Sequence, residues 1–353
     1  MSRLGRPGSE AITPEECGHI HRDMNKRVTW LLPVKDGMPY LTEALASIEA
    51  QTYKNWEVIA WVNGSTDGTL AELQSWIPAR LPGHIVAGKP TTYGLAMAEM
   101  TLQAETEFCA IVHADDINTP DRLFKQLSFM EAHPEIAVVG TLYDVIDADG
   151  RTVAGPGHQY LHHDDIVHYM IQNTAIGCPT ALFRRSAVLE VGNHRPRTLV
   201  EDYDLWLRLA VNHKLANLDE CLLHYRVHAR SATQVAVAED LVAPAANSCF
   251  YETAPSLYGC SPKDARLLRE RRHPFALLPL YRIARFLSRT QGRTALNRFF
   301  SLSFIQGGRG LVKSSDLISR LPLTLLAYRK TPIPLIWTRI RQRILRSKSH
   351  MRH

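Results

Sequence analysis

Short apolar runs alternate along the first 130 residues with segments in which apolar residues recur at helical spacing. The runs favour strands and stop at polar or proline-containing loops, which predicts strands at residues 28–34, 56–62, 84–87 and 108–112. The intervening segments place apolar residues three or four positions apart, which predicts helices at residues 40–50, 70–76, 93–104 and from 120 onward. Strands that alternate with helices predict an α/β fold with a mainly parallel sheet covered on both faces.

Polar loops follow three of these predicted strands. They are Lys35-Asp36, Asn63-Gly64-Ser65 and the segment from His113 to Asp116. In open sheets of this kind, ligands bind where the parallel strands end at their carboxyl termini. The three loops therefore predict one ligand site on one rim of the sheet.

The strongest single chemical signal is the pair Asp115-Asp116, which directly follows the apolar run at 108–112. Two adjacent carboxylates at the end of a buried strand repel each other unless a cation or hydrogen-bond donors neutralise them. A divalent cation with carboxylate ligands would do this, and it could also take up the charge of a departing diphosphate. The alternative is a solvated loop pair in which one aspartate caps the next helix.

A second acidic group, Glu201-Asp202, precedes a segment whose residues Leu205, Trp206 and Leu209 form an apolar helical face. Negative charge is favoured at a helix N-terminus, so the two carboxylates are either ordinary capping residues or functional ones. In the functional interpretation, Asp202 is a general base that takes the proton of an attacking hydroxyl.

Several other patterns do not support a function. The segment from Gly83 to Lys89 resembles a phosphate-binding loop, but Pro90 follows where a magnesium-binding hydroxyl is required. No dinucleotide-binding glycine motif follows the first strand, and the six cysteines have neither disulfide-framework nor zinc spacing. The histidine-rich stretch from His158 to His168 is predicted to be a polar loop over the site.

Charge divides the 353-residue chain more sharply than its net +6 suggests. Residues 261–353 carry 21 Lys and Arg against 3 Asp and Glu, whereas residues 1–260 have a net charge of −12. The basic region mixes arginine with apolar residues, and prolines divide it into short pieces. This predicts either helices lying on an anionic membrane surface or a helical extension packed on the catalytic domain. Nucleic acid is not expected as a partner, because no nucleic-acid-binding module is recognised.

The predicted organisation is a flexible N-terminus (1–26), a catalytic domain (27–240) and a basic, mostly helical region (241–353). The first 26 residues lack the apolar core of a signal peptide, and no apolar run is long enough for a membrane-spanning helix. We therefore expect a cytoplasmic protein with peripheral contact to the inner face of the cytoplasmic membrane.

The motifs, taken together and in order, resemble the family 2 glycosyltransferases over roughly residues 28–235. The segments that carry the resemblance are LLPVKDGMPYLTEALASIEAQTY, WEVIAWVNGSTDGT, VHADDINTPDRLFKQLSFMEAHPEIAVVG, PTALFRRSAVLEVG, VEDYDLWLRLA and YRVHARS. The resemblance implies a GT-A fold and an inverting enzyme that moves a sugar from a UDP- or GDP-sugar to an acceptor hydroxyl. The implied acceptor is a saccharide or a lipid-linked molecule used in surface polysaccharide or glycolipid synthesis.

The resemblance also implies roles for individual residues. The nucleotide-sugar is expected to contact Pro33, Val34, Asp36, Asn63, Asp115, Asp116 and Arg226. A divalent metal, Mn²⁺ or Mg²⁺, is expected at Asp115, Asp116 and His113, and His228 is expected near the diphosphate or the closing loop. Asp202 is expected to be the catalytic base, with Glu201 beside it.

This chain departs from the usual family pattern at four places. His113 replaces the first acidic residue of the DxD element, Val62-Asn63 replaces a common acidic pair, Met100 replaces an asparagine and Cys178 replaces a histidine. An imidazole at position 113 could itself bind manganese or hydrogen-bond a ribose. Two alternatives to the transferase remain at this stage, a non-catalytic protein that binds nucleotide-sugars and a glycoside hydrolase with two carboxylates.

Overall fold

The computed structural model describes residues 28–157, 160–197, 199–231 and 240–270. The predicted flexible N-terminus (1–26) and most of the predicted basic region (271–353) lie outside the described residues.

Strands and helices alternate through the first half of the described chain, as the apolar pattern predicts. The strands are β1 (Val28–Val34), β2 (Trp56–Val62), β3 (Gly83–Ala87), β4 (Phe108–Ile111), β5 (Ile117–Asn118), β6 (Ile136–Ile146), β7 (Thr152–Ala154), β8 (Leu182–Arg184) and β9 (Lys214–Arg226). The helices are α1 (Leu41–Glu49), α2 (Thr69–Trp76), α3 (Tyr93–Gln103), α4 (Arg122–Ala132), α5 (His163–Met170), α6 (Arg185–Glu190), α7 (Glu201–Asn212), α8 (Val242–Tyr258) and α9 (Pro262–Glu270), with a 3₁₀ turn at Cys178–Thr180.

The described strands form one nine-stranded sheet in the order β3-β2-β1-β4-β8-β6-β9-β5, with β7 paired to β6. Strands β1 to β4 pair in parallel, and so do β6 and β9. Strand β8 is antiparallel to both of its neighbours, β4 and β6. The predicted α/β fold is therefore confirmed, and the sheet is mixed rather than uniformly parallel.

Both faces of the sheet are covered, which explains why β1 has no polar alternation. Trp30 and Leu32 point into one hydrophobic cluster, whereas Leu31 points into the other. All three are fully buried. Burying a side chain of this size contributes about 1.5 to 3 kcal/mol, so the strand is fixed from both sides and its carboxyl end is held in place.

Helix α8 packs on the same cluster as helix α7. Phe250 and Tyr258 of α8 are fully buried together with Trp206 of α7. The Tyr258 hydroxyl also donates to the carbonyl of Val167, at 2.7 Å. The described start of the region after residue 240 is thus attached to α7, which carries the second acidic group, and to α5. Among the helices formed by the described residues, none is long and apolar enough to cross a membrane.

The histidine-rich stretch is only partly a loop. Its second half forms α5 (His163–Met170), and the His168 side chain is 4% exposed. The prediction of a polar loop was wrong for this half, because Ile166, Val167 and Met170 share one apolar helical face that packs into the core.

Candidate active site

The loop after β1 is held in place by the loop after β2. Asp36 has a positive φ of 50°. Its carboxylate accepts from the backbone N–H of Thr66 at 2.8 Å, and its own N–H donates to the Ser65 hydroxyl at 3.0 Å. A positive φ is unfavourable for a side chain larger than glycine, so these bonds hold a strained residue at the strand end.

Asn63 ties the same rim to the start of α3. Its side-chain amide donates to the carbonyl of Thr91 and accepts from the N–H of Thr91, at 2.8 and 2.7 Å. The Asn63 backbone N–H donates to the carbonyl of Val34. The predicted nucleotide-contacting residues Pro33, Val34, Asp36 and Asn63 therefore lie together at the carboxyl ends of β1 and β2, and the Asn63 amide has backbone partners of its own.

The first acidic cluster consists of His113, Asp115 and Asp116, after β4. Asp115 is half-buried, and its Oδ2 lies 3.1 Å from Nε2 of His228. Asp116 is fully buried, and its Oδ1 accepts from the backbone N–H of Arg226 at 2.9 Å. Within the described chain, no hydrogen-bond donor reaches the other oxygen, Oδ2 of Asp116. A buried carboxylate oxygen without a donor is costly, and this one lies 3.7 Å from Nδ1 of His113.

The two aspartates differ in pKa. Burial opposes ionisation of Asp115, but the His228 hydrogen bond and the charges of His113 and His228 lower its pKa overall. Burial and the negative charge of Asp115 raise the pKa of Asp116 well above its ordinary value. The free protein thus holds one carboxylate readily ionised and the other poorly ionised, which is the arrangement expected when a cation is needed to neutralise both.

Arg226 is hydrogen-bonded to both aspartates of this cluster. It is 1% exposed, and its guanidinium donates to the carbonyl of Asp115 at 2.9 Å and to Glu43 at 2.6 Å. It also donates to the carbonyls of Asp147 and Ala148. Sequence reasoning expected Arg226 at the nucleotide-sugar. The structure gives its side chain protein partners, through which it positions the acid pair.

His113 is linked to two residues that were not expected in the site. Its Nε2 lies 2.9 Å from the hydroxyl of Tyr93, and that hydroxyl lies 3.6 Å from Sγ of Cys178. Its Nδ1 lies 3.7 Å from Oδ2 of Asp116. Burial lowers the pKa of His113, which favours the neutral imidazole that a metal requires.

Side-chain donor atoms of His113, Asp115 and Asp116 all lie within 4.8 Å of one another. One imidazole nitrogen and two carboxylate oxygens suit a divalent cation such as Mn²⁺. The unpartnered Oδ2 of Asp116 supplies a free acceptor at this point. The residues present therefore fit a divalent metal.

The second acidic cluster consists of Glu201, Asp202 and Asp204, in the first turn of α7. The helix begins after Val200, a β-branched residue in the left-handed region at φ 57°. Asp202 accepts from the N–H of Tyr203 at 2.7 Å. Asp204 is fully buried and pairs with the three guanidinium groups of Arg195, Arg197 and Arg208. Strain of this kind persists only where surrounding contacts enforce it, and here the N–H of Asp204 donates to the carbonyl of Val200 at 3.0 Å.

Glu201 and Asp202 themselves have no ion pair among the described residues. Burial raises the pKa of Asp202 to about 6. Burial and the charge of Asp202 raise the pKa of Glu201 to about 8. Both side chains are half-buried at the surface of the site. At neutral pH, Asp202 is therefore an ionised but destabilised carboxylate, which suits a proton acceptor.

Tyr93 and Cys178 lie between the two acidic clusters. Burial raises the pKa of Tyr93, and the charges of Cys178, Glu201 and Asp202 raise it further. Burial, Asp202 and Glu201 likewise raise the pKa of the Cys178 thiol. Tyr93 also contacts His113 directly. The fold therefore brings residues 93, 113, 178, 201 and 202 to one site.

Comparison with known proteins gives a consistent match. Residues 29–192 match the family described as "Glycosyl transferase family 2". The amylovoran biosynthesis glycosyltransferase AmsE of Erwinia amylovora is 29% identical over 192 residues, which cover 53% of this chain and 70% of AmsE.

Two solved structures share the fold. TarS 1-349 of S. aureus, in complex with UDP-GlcNAc, aligns with a TM-score of 0.51 and 17% identity over 78% of this chain and 83% of that one. The mannosyltransferase PcManGT of Pyrobaculum calidifontis, in complex with GDP-Man and Mn²⁺, aligns with a TM-score of 0.50 and 16% identity over 92% and 89% of the two chains. These likenesses support the GT-A fold for the mixed, helix-covered sheet.

Proposed function

From the match of residues 29–192 to the family 2 glycosyltransferases, we propose that the chain is a member of that family, and we propose the reaction that it catalyses. The proposed reaction transfers a sugar from a nucleoside-diphosphate-sugar to an acceptor hydroxyl, with inversion at the anomeric carbon. The observation that carries the proposal is Asp202, which has no ion pair among the described residues, has a pKa raised to about 6 and shares one site with the first acidic cluster.

Asp202 is the proposed catalytic base. Its ionised carboxylate takes the proton of the acceptor hydroxyl, and the acceptor oxygen then bonds to the anomeric carbon. The bond from that carbon to the diphosphate oxygen breaks, and the nucleoside diphosphate leaves with the electron pair. Glu201, with a pKa of about 8, is largely protonated at neutral pH and adds no second negative charge. Burial raises the pKa of Asp202, and this keeps its carboxylate basic enough for the role.

His113, Asp115 and Asp116 are the proposed ligands of a divalent metal, either Mn²⁺ or Mg²⁺. His228 lies 3.1 Å from Asp115 and holds that carboxylate in place through a hydrogen bond. A cation bound there would neutralise charge that develops on the departing diphosphate. PcManGT, which shares the fold, was solved with GDP-Man and Mn²⁺.

The rim formed by Pro33, Val34, Asp36 and Asn63 is the proposed wall of the nucleotide pocket. Asp36 and Asn63 are held by the loop contacts described above, so the wall forms before the nucleotide binds. TarS was solved with UDP-GlcNAc and PcManGT with GDP-Man, so both bases are candidates for the donor.

The proposed acceptor is a saccharide or a lipid-linked molecule used in surface polysaccharide or glycolipid synthesis. AmsE, a relative over this region, is named for amylovoran biosynthesis. The net charge of +18 in residues 261–353 supports peripheral binding to the inner face of the cytoplasmic membrane. Co-sedimentation of the full chain with phosphatidylglycerol vesicles, lost in phosphatidylcholine vesicles or at 1 M salt, would test this binding.

Calorimetry with UDP and with GDP, each with and without Mn²⁺, tests the proposed donor and metal together. We expect one nucleotide to bind more tightly when Mn²⁺ is present. A thermal-shift screen of sugars on that nucleotide then identifies the donor. Binding of neither nucleotide under either condition would contradict the proposal.

A further inference from the structure

Tyr93 occupies a central place in the site that the proposed reaction does not use. It is the first residue of α3, and its hydroxyl lies between His113 and Cys178. Neither its aromatic ring nor its hydroxyl belongs to the acidic clusters. The nearest partner of this hydroxyl is the ring of His113.

The two nitrogens of His113 face different partners. Nε2 lies 2.9 Å from the Tyr93 hydroxyl, and the two rings meet edge to face at 88°. Nδ1 lies 3.7 Å from the unpartnered Oδ2 of Asp116. Only Nδ1 therefore points toward the carboxylates that would share a metal with it.

The proton on the ring decides whether Nδ1 can be a ligand. A neutral imidazole carries one proton, and a metal-binding nitrogen must carry none. If Nδ1 binds the metal, the proton lies on Nε2 and needs an acceptor. The phenolic oxygen of Tyr93 is the acceptor that the structure provides.

We propose that Tyr93 is the positioning residue that makes His113 a metal ligand, by accepting the Nε2–H of the imidazole and so fixing both its tautomer and its ring orientation. This inference rests on the proposed metal site of the transferase. The hydroxyl proton of Tyr93 is then directed away from His113, toward the side where Sγ of Cys178 lies at 3.6 Å.

The opposite tautomer is poorly accommodated. With the proton on Nδ1, the Tyr93 hydroxyl would donate to Nε2, and Nδ1–H would have to reach Oδ2 of Asp116. The 3.7 Å separation is too long for a hydrogen bond. Binding of a cation by Asp116 and Nδ1 removes this mismatch, because the cation takes the place of the missing donor.

The position of Tyr93 is fixed from both sides along the chain. Thr91 is held by the two hydrogen bonds of the Asn63 amide, and the Thr92 side chain caps α3. Gly94 lies against the backbone of Arg195, and a Cβ there would come within 2.0 Å of the Arg195 carbonyl oxygen. A ligand-orienting group must be rigid to be effective, and these contacts supply that rigidity.

The test is a titration of the full-length protein with Mn²⁺ alone, followed by the electron paramagnetic resonance signal of the free ion. Loss of such an orienting partner typically costs about 10- to 100-fold in metal affinity, so we expect Tyr93→Phe to weaken Mn²⁺ binding by that factor. Tyr251→Phe makes the same change on helix α8, where the ring lies against Phe250 and Arg266, and is the matched control. We expect its affinity to stay within about twofold of the wild type, since the Tyr93–His113 contact is intact.

The double variant His113→Ala/Tyr93→Phe separates orientation from general damage. If Tyr93 acts through His113, the double variant binds Mn²⁺ as His113→Ala does, with no additional loss. Equal affinity of Tyr93→Phe and wild type, or the same loss in both backgrounds, would overturn the inference while the metal site itself stands. Absence of Mn²⁺ binding by the wild type would overturn the metal site and the inference together.

A second measurement decides the matter even if Tyr93→Phe does not fold. Pulsed resonance spectra of bound Mn²⁺ report directly coordinated nitrogen, and we expect a ¹⁴N coupling in the wild type that is absent in His113→Ala. Identical spectra for the two proteins would mean that His113 is not a ligand, and Tyr93 would then have nothing to orient.

Discussion

The two acidic clusters each contain adjacent carboxylates partly withdrawn from water, yet the protein treats them differently. The first cluster receives donors, namely the N–H of Arg226 and the ring of His228, and the pKa values of its two aspartates move in opposite directions. In the second cluster, Glu201 and Asp202 have no cationic partner among the described residues, and both pKa values rise. The first arrangement suits a bound cation, and the second suits a proton acceptor.

Asp204 explains why Glu201 and Asp202 have no ion pair among the described residues. The guanidinium groups of Arg195, Arg197 and Arg208 all pair with the buried Asp204. Arg195 and Arg197 extend the network to Glu252 of α8. The positive charges of these arginines are thereby held at Asp204 and Glu252, and burial raises the pKa of Asp202. The difference between the clusters thus depends on where arginines are placed as well as on the carboxylates.

The largest expected effect comes from removing the base. Asp202→Asn should lower kcat for transfer by about 10²- to 10⁴-fold while nucleotide affinity stays within about twofold, because the amide cannot accept the proton. Initial-rate assays with the identified donor, together with nucleotide calorimetry, measure both. Transfer at the wild-type rate would remove Asp202 from the mechanism.

The same variant should be more stable than the wild type at pH 8. Below pH 3.8, Asp202 is protonated in both the folded and unfolded states; as pH rises, the unfolded state loses its proton first, and the folded state follows near 6. The free energy of unfolding of the wild type therefore falls between pH 3.8 and about 6, and it stays at the lower value above pH 6. Urea unfolding at pH 8 should show Asp202→Asn stabilised by up to about 3 kcal/mol.

The next effect tests the placement of the arginines. Asp204→Asn leaves three guanidinium groups without their buried partner and should destabilise the protein by about 3 kcal/mol. Glu252→Gln removes the half-exposed end of the same network and should cost less than about 1 kcal/mol. Urea unfolding of the two variants in parallel gives the comparison. Similar losses would mean that the buried carboxylate has no special importance.

Sequence patterns predicted the strands and the acid pair well because both are local features. Strands β1 and β2 have the predicted bounds, and Asp115 and Asp116 follow β4 as expected. Patterns could not give the partners, because a contact such as Tyr93 with Cys178 joins residues 85 positions apart. For the same reason, nothing in the sequence around Arg226 indicates that Glu43, 183 positions away, binds its guanidinium.

Backbone strain was equally hidden from the sequence. Val200 favours extended structure by its β-branched side chain, yet it adopts a left-handed conformation at the start of α7. Strand β8 is antiparallel to both β4 and β6, and the alternation of elements in the first 130 residues did not predict this strand. Both features are imposed by tertiary contacts, which periodicity does not contain. The assignment of roles to individual site residues stays a prediction.

A smaller effect separates the two clusters by how much Mn²⁺ stabilises variants of each. Mn²⁺ at 100 times its dissociation constant should raise the free energy of unfolding of the wild type and of Asp202→Asn by about 2.7 kcal/mol each. Asp115→Asn should show no such gain, since it removes a proposed ligand and the partner of His228. Thermal or urea unfolding with and without Mn²⁺ measures this. A full gain in Asp115→Asn would place the metal elsewhere.

The smallest effect is the pH dependence of transfer. The base must be ionised, so at saturating Mn²⁺ kcat/KM should rise about tenfold per pH unit below about 6 and level off above it, following the raised pKa of Asp202. Saturation with metal matters because the carboxylates of the first cluster are then held ionised, which leaves the second cluster as the group that titrates. The residual kcat/KM of Asp202→Asn should not show this rise between low pH and about pH 6. A midpoint near 3.8, the ordinary value for aspartate, would mean that solvent reaches Asp202 freely and that the contrast between the two clusters does not exist in solution.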